Sequence, residues 1–430
     1  NDALDPGVAD EVANKLGISS GGKLNVYKVF RGITTADSIS ISRLGEEVRM
    51  PEFWRILKIG LPPGIDLPSA IDSLNTLDAV AYAQVNNLYQ FYDIPNDPLL
   101  NHQPSLVPNA TYSGADINVD PAWDIQTGIP EVKVGIVDDM IEGINRNGVG
   151  YNEGVEDLGE HVVGGYDFPF GGFQENYQEF YPFTEHGTAC AGIVGAIRNN
   201  GIGVAGIAGG TGEANTGCSL YSVGIVDGYN YLTLDQMAPA IVDASTDGIG
   251  YDWIPGCNIL NISWGQGAGF YSFSPALIQA VVNAYHHQCV FVAARGNVGT
   301  PAEQTAATYP SCYGGLYLDE NGILSVGASG TDGRSMTYTN GPFYTQYGQG
   351  MDLVAPGATQ LIVSTVGHNS PNFPNCEPGL PYYYDCFRGT SAAAPHVTGV
   401  AALMMSEHNV LNGAANDLAP EDVEHIMEAT

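Results

Sequence analysis

The stretch that decides the fold lies near the C-terminal end, where residues 389–402 read Gly-Thr-Ser-Ala-Ala-Ala-Pro-His-Val-Thr-Gly-Val-Ala-Ala. Its small side chains would let a helix approach a sheet closely. A serine where a helix begins, here Ser391, lies among unpaired main-chain N–H groups at the positive end of the helix dipole. That environment favours a nucleophilic hydroxyl and the oxyanion that it creates. A plain N-cap serine is the alternative, but a cap requires neither the Gly-Thr before it nor Pro395 four residues after it.

Two further polar residues stand at the ends of apolar or small-residue segments. Residues 132–137 form a short apolar run, typical of a buried parallel strand, that ends at Asp138. His186 opens the segment 186–196, which reads His-Gly-Thr-Ala-Cys-Ala-Gly-Ile-Val-Gly-Ala. Ligands and chemistry lie at the carboxyl ends of strands in an open α/β sheet. Taken alone, the acid could be a helix cap and the histidine a surface or core imidazole.

The spacing of apolar segments predicts the fold class. Further buried strands are expected at 220–226, 259–263 and 290–294, separated by helices at 234–244 and 276–287. Alternating strands and helices imply an α/β domain with a mostly parallel sheet covered by helices on both faces. Such a domain has three layers.

Four motifs resemble those of the subtilisin-like serine proteases, the subtilases. They are the segments that contain Asp138, His186 and Ser391 and the segment 291–297, Phe-Val-Ala-Ala-Arg-Gly-Asn, which lies between the last two. The resemblance implies a subtilisin-like catalytic domain at 93–430 and a serine endopeptidase. In such an enzyme Ser391 attacks the peptide carbonyl, His186 transfers its proton, and Asp138 orients the imidazole. Asn297 would donate to the oxyanion together with the main-chain N–H of Ser391.

The resemblance also implies where a peptide substrate binds. Ser263, Trp264 and Gly265 are similar to the strand that forms one wall of the pocket for the residue before the cleaved bond. Gly228 and Tyr229 are similar to part of a second, antiparallel substrate-binding strand.

The chain departs from the family pattern at two positions near the site. Met140 stands two residues after the acid, where the family has glycine, and Arg295 stands where a small residue is usual. The doubled acid at 138–139 is similar to the kexin-like branch. The acidic residues expected after Trp264 in that branch are absent, which argues against a strict dibasic preference.

The N-terminal part has a different pattern. Residues 1–22 are predicted to be a tail, and residues 23–92 a compact α+β unit with strands at 24–30, 54–61 and 80–85. Residues 80–92 resemble the end of a subtilase propeptide. This implies a folding chaperone and intramolecular inhibitor that is cleaved between Tyr92 and Asp93. An ordinary accessory α/β domain is the alternative.

Residues 197–204, Ile-Arg-Asn-Asn-Gly-Ile-Gly-Val, resemble the calcium loop of the same family. A structural Ca²⁺ is therefore implied, because hard oxygen ligands suit this ion. Asp97 is a further candidate ligand. A plain Asn-Gly turn is the alternative. The ligand set implied by the resemblance is Gln103, Asp157, Ile197, Asn200, Ile202 and Val204.

Composition limits the partners and the compartment. With 14 Lys and Arg against 47 Asp and Glu, the net charge is −33, which argues against binding to nucleic acid or to an anionic membrane. Only 14% of residues are charged, and there are seven cysteines, a pattern that favours a secreted protein. We expect a monomer whose partners are peptide substrates and its own propeptide. An odd cysteine count suggests three bridges, for which proximity predicts 376–386, 289–312 and 218–257, with Cys190 free.

Two other functions are compatible with the same motifs. A catalytically silent pseudoprotease that acts as a binding protein would require Met140 or Arg295 to have disabled the site. A transpeptidase with the subtilase fold would use the same three residues but transfer the acyl group to an amine.

Overall fold

The computed structural model of the protein describes residues 6–18, 25–30, 32–41, 47–62, 65–86, 94–142, 155–169, 185–226, 233–247, 254–265, 274–298, 308–313, 323–333, 344–348, 350–358, 362–367, 384–413 and 418–429. The chain divides into two compact units, at Asn1–Phe91 and Tyr92–Thr430.

The described residues of the smaller unit form two helices, two short 3₁₀ turns and two antiparallel strand pairs. Its elements are α1 (Pro6–Lys15), β1 (Asn25–Lys28), β2 (Ile39–Ile41), β3 (Glu47–Arg49), β4 (Leu57–Gly60) and α2 (Leu67–Leu74), with 3₁₀ turns at Thr35–Asp37 and Phe53–Arg55. Strand β1 pairs with β4, and β2 pairs with β3. Val12 and Leu16 share one apolar cluster with Ala70 and Leu74 of α2, so the segment predicted as a tail contributes to the core of this unit.

The predicted strand at 80–85 is wrong. The main-chain N–H of Ala83 donates to Oδ1 of Asn75 at 2.6 Å, and Nδ2 of Asn75 donates to the Ala83 carbonyl at 3.3 Å. A side-chain amide therefore occupies the positions that a neighbouring strand would use.

The larger unit alternates strands and helices through most of its length. In chain order its elements are α3 (Asp120–Trp123), β5 (Lys133–Asp138), β6 (Val162–Asp167), α4 (Glu185–Gly195), β7 (Ser219–Gly224), α5 (Leu234–Ser245), β8 (Ile259–Ile262), α6 (Pro275–His286), β9 (Val290–Ala294), β10 (Asn297–Val298), β11 (Ile323–Ser329), β12 (Tyr344–Thr345), β13 (Leu353–Pro356), β14 (Val363–Thr365), β15 (Tyr384–Cys386), α7 (Thr390–Asn412) and α8 (Pro420–Ala429). Short 3₁₀ turns lie at Leu100–His102 and Gly159–His161.

Seven strands form one parallel sheet in the order β13-β11-β9-β8-β5-β7-β6. Side chains alternate between two apolar clusters along each strand, so that Val134 and Ile136 of β5 face one cluster and Val137 faces the other. Helices α4, α7 and α8 contribute to the first cluster, and α5 and α6 to the second. The predicted three-layer α/β architecture is confirmed. Within the described ranges, no helix is both long and apolar enough to cross a bilayer.

Small residues let the two central helices pack closely, as the sequence predicts. A methyl group added at Gly399 of α7 would lie 2.7 Å from Cβ of Ile207, and one added at Gly192 of α4 would lie 2.5 Å from Oγ of Ser364. Neither helix could carry larger side chains there, and both begin at the carboxyl edge of the sheet.

Two of the three predicted disulfides are wrong, because Cys218, Cys257, Cys289 and Cys312 are free, buried thiols. The sheet separates the first pair, since Cys218 belongs to one apolar cluster and Cys257 to the other. Cys190 is free, as predicted.

Strand β9 separates the second pair. Cys289 directly precedes this strand. Arg295 directly follows the strand and donates a hydrogen bond to Cys312 Sγ, so Cys312 lies near the opposite end. A five-residue strand spans about 16 Å, which exceeds the reach of a disulfide. The third predicted pairing, 376–386, includes a cysteine outside the described residues and stays a prediction.

Candidate active site

An acid and an imidazole meet at the carboxyl edge of the sheet. Asp138 is the last residue of β5 and is buried, and His186 is the second residue of α4. Nδ1 of His186 lies 2.8 Å from Oδ1 and 2.9 Å from Oδ2 of Asp138. This contact orients the ring and leaves Nε2 as the nitrogen that can exchange a proton with a third group.

A serine lies at the start of the 23-residue helix α7, at the same edge of the sheet. Ser391 is the second residue of α7, so its main-chain N–H has no acceptor within the helix. Its hydroxyl donates to the Ser263 carbonyl at 3.0 Å, and the Ser263 hydroxyl donates to the Ser391 carbonyl at 3.0 Å. In this rotamer the Ser391 hydroxyl is hydrogen-bonded to Ser263 rather than to His186.

Cys190 lies beneath these groups, a placement that the sequence analysis did not foresee. Its Sγ is 3.9 Å from Oδ2 of Asp138 and 3.6 Å from the carbonyl oxygen of Ser391. Burial raises the pKa of this thiol, which therefore stays protonated at neutral pH. The sequence did contain a signal for this placement, because residues four apart on a helix share a face and Cys190 lies four residues after His186.

Asp139 is the second residue whose placement was not foreseen. Its carboxylate accepts the main-chain N–H of Gly187 at 2.6 Å and that of His186 at 3.2 Å, and so caps the start of α4. Burial and the neighbouring Asp138 carboxylate raise its pKa well above the usual range.

The side chain of Asn297 lies against the start of α7. Its Oδ1 accepts the main-chain N–H of Thr390 at 3.0 Å, and a methyl group added at Gly389 would lie 3.1 Å from its Nδ2. Because the amide oxygen is held by Thr390, the NH₂ group points away from that N–H. Asn297 is exposed and lies three residues after the end of the buried strand β9.

The predicted wall of the substrate pocket follows β8. Ser263 contacts Ser391 as described above, and the indole N–H of Trp264 donates to the Val137 carbonyl at 2.8 Å. A methyl group added at Gly265 would lie 2.8 Å from Cγ2 of Thr308, so this position leaves room for no side chain. The structure thus brings Ser263 next to Ser391. The other predicted substrate-binding residues, Gly228 and Tyr229, lie outside the described residues, as do Tyr92 and Asp93.

Comparisons with known proteins identify the family of this chain. The sequence profile of the subtilase family matches residues 130–430. A thermophilic serine proteinase of Bacillus sp. (strain AK1) is 30% identical over 359 residues, which cover 84% of this chain and 70% of that protein. The chain belongs to the subtilase family.

Two further relatives support the family assignment. An extracellular basic protease of Dichelobacter nodosus is 25% identical over 93% of this chain and 64% of its own length. A solved structure of proteases from Pseudoalteromonas arctica is 27% identical, with a TM-score of 0.54, and the match covers 78% of this chain and 92% of that one. The larger unit has the subtilisin-like fold, and this subtilase is a serine endopeptidase.

The two departures from the subtilase pattern do not break the contact between Asp138 and His186. Arg295 is buried at 1% exposure, and its Nη1 donates to Cys312 Sγ at 2.7 Å and to the Gly350 carbonyl at 3.0 Å. Met140 has a positive φ of 90°, a conformation that favours glycine, and its buried side chain packs against Gly224.

The predicted calcium ligands lie around one buried acid. Asp157 accepts Nδ2 of Asn200 and the main-chain N–H of Val204, each at 2.8 Å, and its own carbonyl accepts the N–H of Ile197 at 2.7 Å. Oδ1 of Asn200 accepts the N–H of Ile202 at 2.9 Å. Burial raises the pKa of Asp157 to about 7.

Two more groups complete this cluster. Gln103 donates to the Ala205 carbonyl at 3.0 Å and accepts the Ala205 N–H at 2.8 Å. Asp97 accepts the N–H of Asn199 at 2.7 Å, but its Oδ1 is buried without a hydrogen-bond partner. All the candidate ligand atoms are oxygens, and a hard cation would provide a partner for Oδ1 of Asp97. The residues therefore fit calcium.

The acid–imidazole contact predicts the pH dependence of activity. Burial opposes protonation of His186, but the Asp138 carboxylate outweighs it and holds the pKa of His186 well above its usual range. A general base must be neutral, and the neutral fraction grows as pH rises through that pKa. We therefore expect kcat/KM to rise along a limb above the usual imidazole pKa of about 6.5. A pH–rate profile checks this, and in Asp138→Asn the limb should move to lower pH; a wild-type limb at or below about 6.5 contradicts it.

Proposed function

We propose that the chain is a secreted endopeptidase that hydrolyses peptide bonds through Asp138, His186 and Ser391. The observation that carries the proposal is the contact of His186 Nδ1 with both carboxylate oxygens of Asp138, at 2.8 and 2.9 Å, beside the start of α7. In the proposed mechanism, rotation about the Cα–Cβ bond of Ser391 would turn its hydroxyl from the Ser263 carbonyl towards Nε2 of His186. One hydrogen bond would replace another, so the net free-energy cost is below the roughly 1 kcal/mol that a single hydrogen bond contributes.

The chemistry has two stages. His186 takes the proton of Ser391 as Oγ attacks the peptide carbonyl, and then delivers that proton to the departing amine as the C–N bond breaks. Water then attacks the acyl ester by the same route. The N–H of Ser391 and the amide of Asn297 stabilise the oxyanion. The peptide binds as an added strand between two segments of the chain. One segment is Ser263, Trp264 and Gly265, and the other includes Gly228 and Tyr229.

The test is cleavage of casein and of a peptide library by the purified chain, with product masses recorded in the presence and absence of an added amine. Free carboxylic-acid products in both conditions support hydrolysis. Amine adducts as the main products would instead favour a transpeptidase, and the absence of any cleavage at neutral to alkaline pH would favour a silent binding protein.

Residues 1–22 and 23–92 together act, in this proposal, as a propeptide that Ser391 cleaves between Tyr92 and Asp93. The division of the chain at residues 91 and 92 supports it. We expect the wild type to yield a new N-terminus at Asp93, with the two parts held non-covalently, whereas Ser391→Ala stays intact at about 45.4 kDa. Intact mass and N-terminal sequencing check this. A full-length wild-type chain that remains uncut while it digests casein would contradict it.

A structural Ca²⁺ held by Gln103, Asp157, Ile197, Asn200, Ile202 and Val204, with Asp97, is part of the proposal. The ion would supply fixed positive charge to two buried acids and hold the loop at 197–204. We expect chelation to lower the Tm of the Ser391→Ala chain, and Asp157→Asn to reduce the calcium-dependent part of that change. Asp124→Asn, an exposed acid, is the control. An equal calcium response in Asp157→Asn and in the control would contradict this site.

Secretion and a monomeric state complete the proposal. Support comes from the polar composition, with a low fraction of charged residues, and from the name of the extracellular relative in Dichelobacter nodosus. Light scattering of the Ser391→Ala chain tests the monomer, and assay of culture medium against cell extract tests secretion.

A further inference from the structure

The last helix, α8, carries three glutamates along one stripe, and one of them is buried. Glu421, Glu424 and Glu428 recur at intervals of three and four residues, so they form one stripe along the helix. Glu424 is only 2% exposed, and Val423 beside it belongs to the apolar core of the larger unit. A surface helix normally presents apolar residues on its inner face, so a buried glutamate there requires a partner.

An aspartate at the edge of the sheet meets this stripe. Asp352 directly precedes β13, and its Oδ2 accepts the main-chain N–H of Ser325 at 2.6 Å. Its own N–H donates to the Ser325 carbonyl at 3.1 Å, which fixes the residue at both ends. Carboxylate oxygens of Asp352, Glu424 and Glu428 all lie within 4.8 Å of one another.

The buried member of this trio lacks a partner. Oε2 of Glu424 is shielded from solvent and has no hydrogen-bond partner. The described residues form two ion pairs, Arg55 with Glu52 and His186 with Asp138, and neither involves the trio. The guanidinium of Arg295, which acts on Asp352 through its charge, is itself hydrogen-bonded to Cys312 and Gly350. Three carboxylates this close repel one another strongly unless something neutralises them.

We propose that Asp352, Glu424 and Glu428 bind a divalent cation, with calcium as the ion that the site suits. All three ligands are carboxylates, without nitrogen or sulfur, which selects a hard cation. Glu428 is exposed, so water can complete the coordination shell. The ion links α8 to the edge strand β13, and therefore stabilises the C-terminal end of the larger unit. This site uses none of the residues proposed for the loop at 197–204 and does not depend on the proposed activity.

The experiment uses the full chain with Ser391→Ala, which prevents self-digestion. Calorimetric titration with calcium counts the bound ions, and thermal melts with and without calcium measure their effect. Glu424→Gln keeps the shape of the side chain and removes its charge, and Glu428→Gln does the same at the exposed position. Asp422→Asn, an exposed acid on the same helix, is the matched control.

We expect Glu424→Gln to bind one calcium ion fewer than the parent, and Glu428→Gln to bind it at least tenfold more weakly, whereas Asp422→Asn binds as the parent does. The calcium-dependent rise in Tm should be smaller in Glu424→Gln by about 3 °C. Without calcium the same variant should melt above the parent, because repulsion is relieved. The site would be overturned if both glutamine variants bound as many calcium ions as the parent and changed the Tm by the same amount with and without calcium. That result would show carboxyl groups that share a proton instead of binding an ion.

Discussion

Replacing Ser391 by alanine is expected to lower kcat on the order of 10⁶-fold, the size of effect seen when the nucleophile of such a triad is removed. The physical reason is that His186 and Asp138 then have no hydroxyl to activate, and only substrate binding and the oxyanion donors remain. Initial rates on a peptide substrate measure the loss. A fluorophosphonate probe should label the wild type on the peptide that contains Ser391 and should leave the variant unlabelled.

The control for this change lies on the same helix. The hydroxyl of Ser406 donates to the Ala402 carbonyl at 2.6 Å and accepts the N–H of Ile129 at 3.2 Å, about 22 Å along α7 from Ser391. Ser406→Ala removes an equal group and should keep nearly full activity with a modest loss of stability. Ser391→Ala with activity comparable to this control would refute the assignment of the nucleophile.

Loss of the Asn297 amide is expected to lower kcat by about 10²–10³-fold with little change in KM, as when a single oxyanion donor is removed. The donor acts on negative charge that develops only in the transition state, so substrate binding is spared. The measurement is a comparison of kcat and KM for the wild type and Asn297→Ala.

A second variant separates donation from anchoring. Oδ1 of Asn297 accepts the Thr390 N–H and so also anchors the start of α7. Asn297→Asp keeps this acceptor but cannot donate, so it should retain the wild-type Tm and still lose kcat. If the aspartate variant were as active as the wild type, the side chain would serve only to anchor the helix.

The sequence was most informative where local pattern and chemistry coincide. Strand β9 occupies residues 290–294 as predicted, since the short apolar run Val-Phe-Val-Ala-Ala is typical of a strand buried on both faces. Asp138 and His186 were expected to meet because each ends or begins an element at the same edge of the sheet, and they do. The family and the fold followed from these motifs.

Features that depend on distant partners could not be predicted. The Ser391 hydroxyl is bonded to the carbonyl of Ser263, which lies 128 residues earlier. Arg295 turns away into the interior because Cys312 and Gly350 accept its guanidinium. The wrong disulfide pairings have the same origin, since proximity in sequence does not say on which face of the sheet a cysteine lies.

The central claim is that Asp138, His186 and Ser391 act as one catalytic unit. The most direct test is the kcat/KM of Ser391→Ala, His186→Ala and the double variant on one peptide. Groups that act together lose their effect together, so the double variant should be no slower than either single variant within about threefold. If the two losses multiplied instead, the hydroxyl and the imidazole would contribute independently, and the account would be wrong.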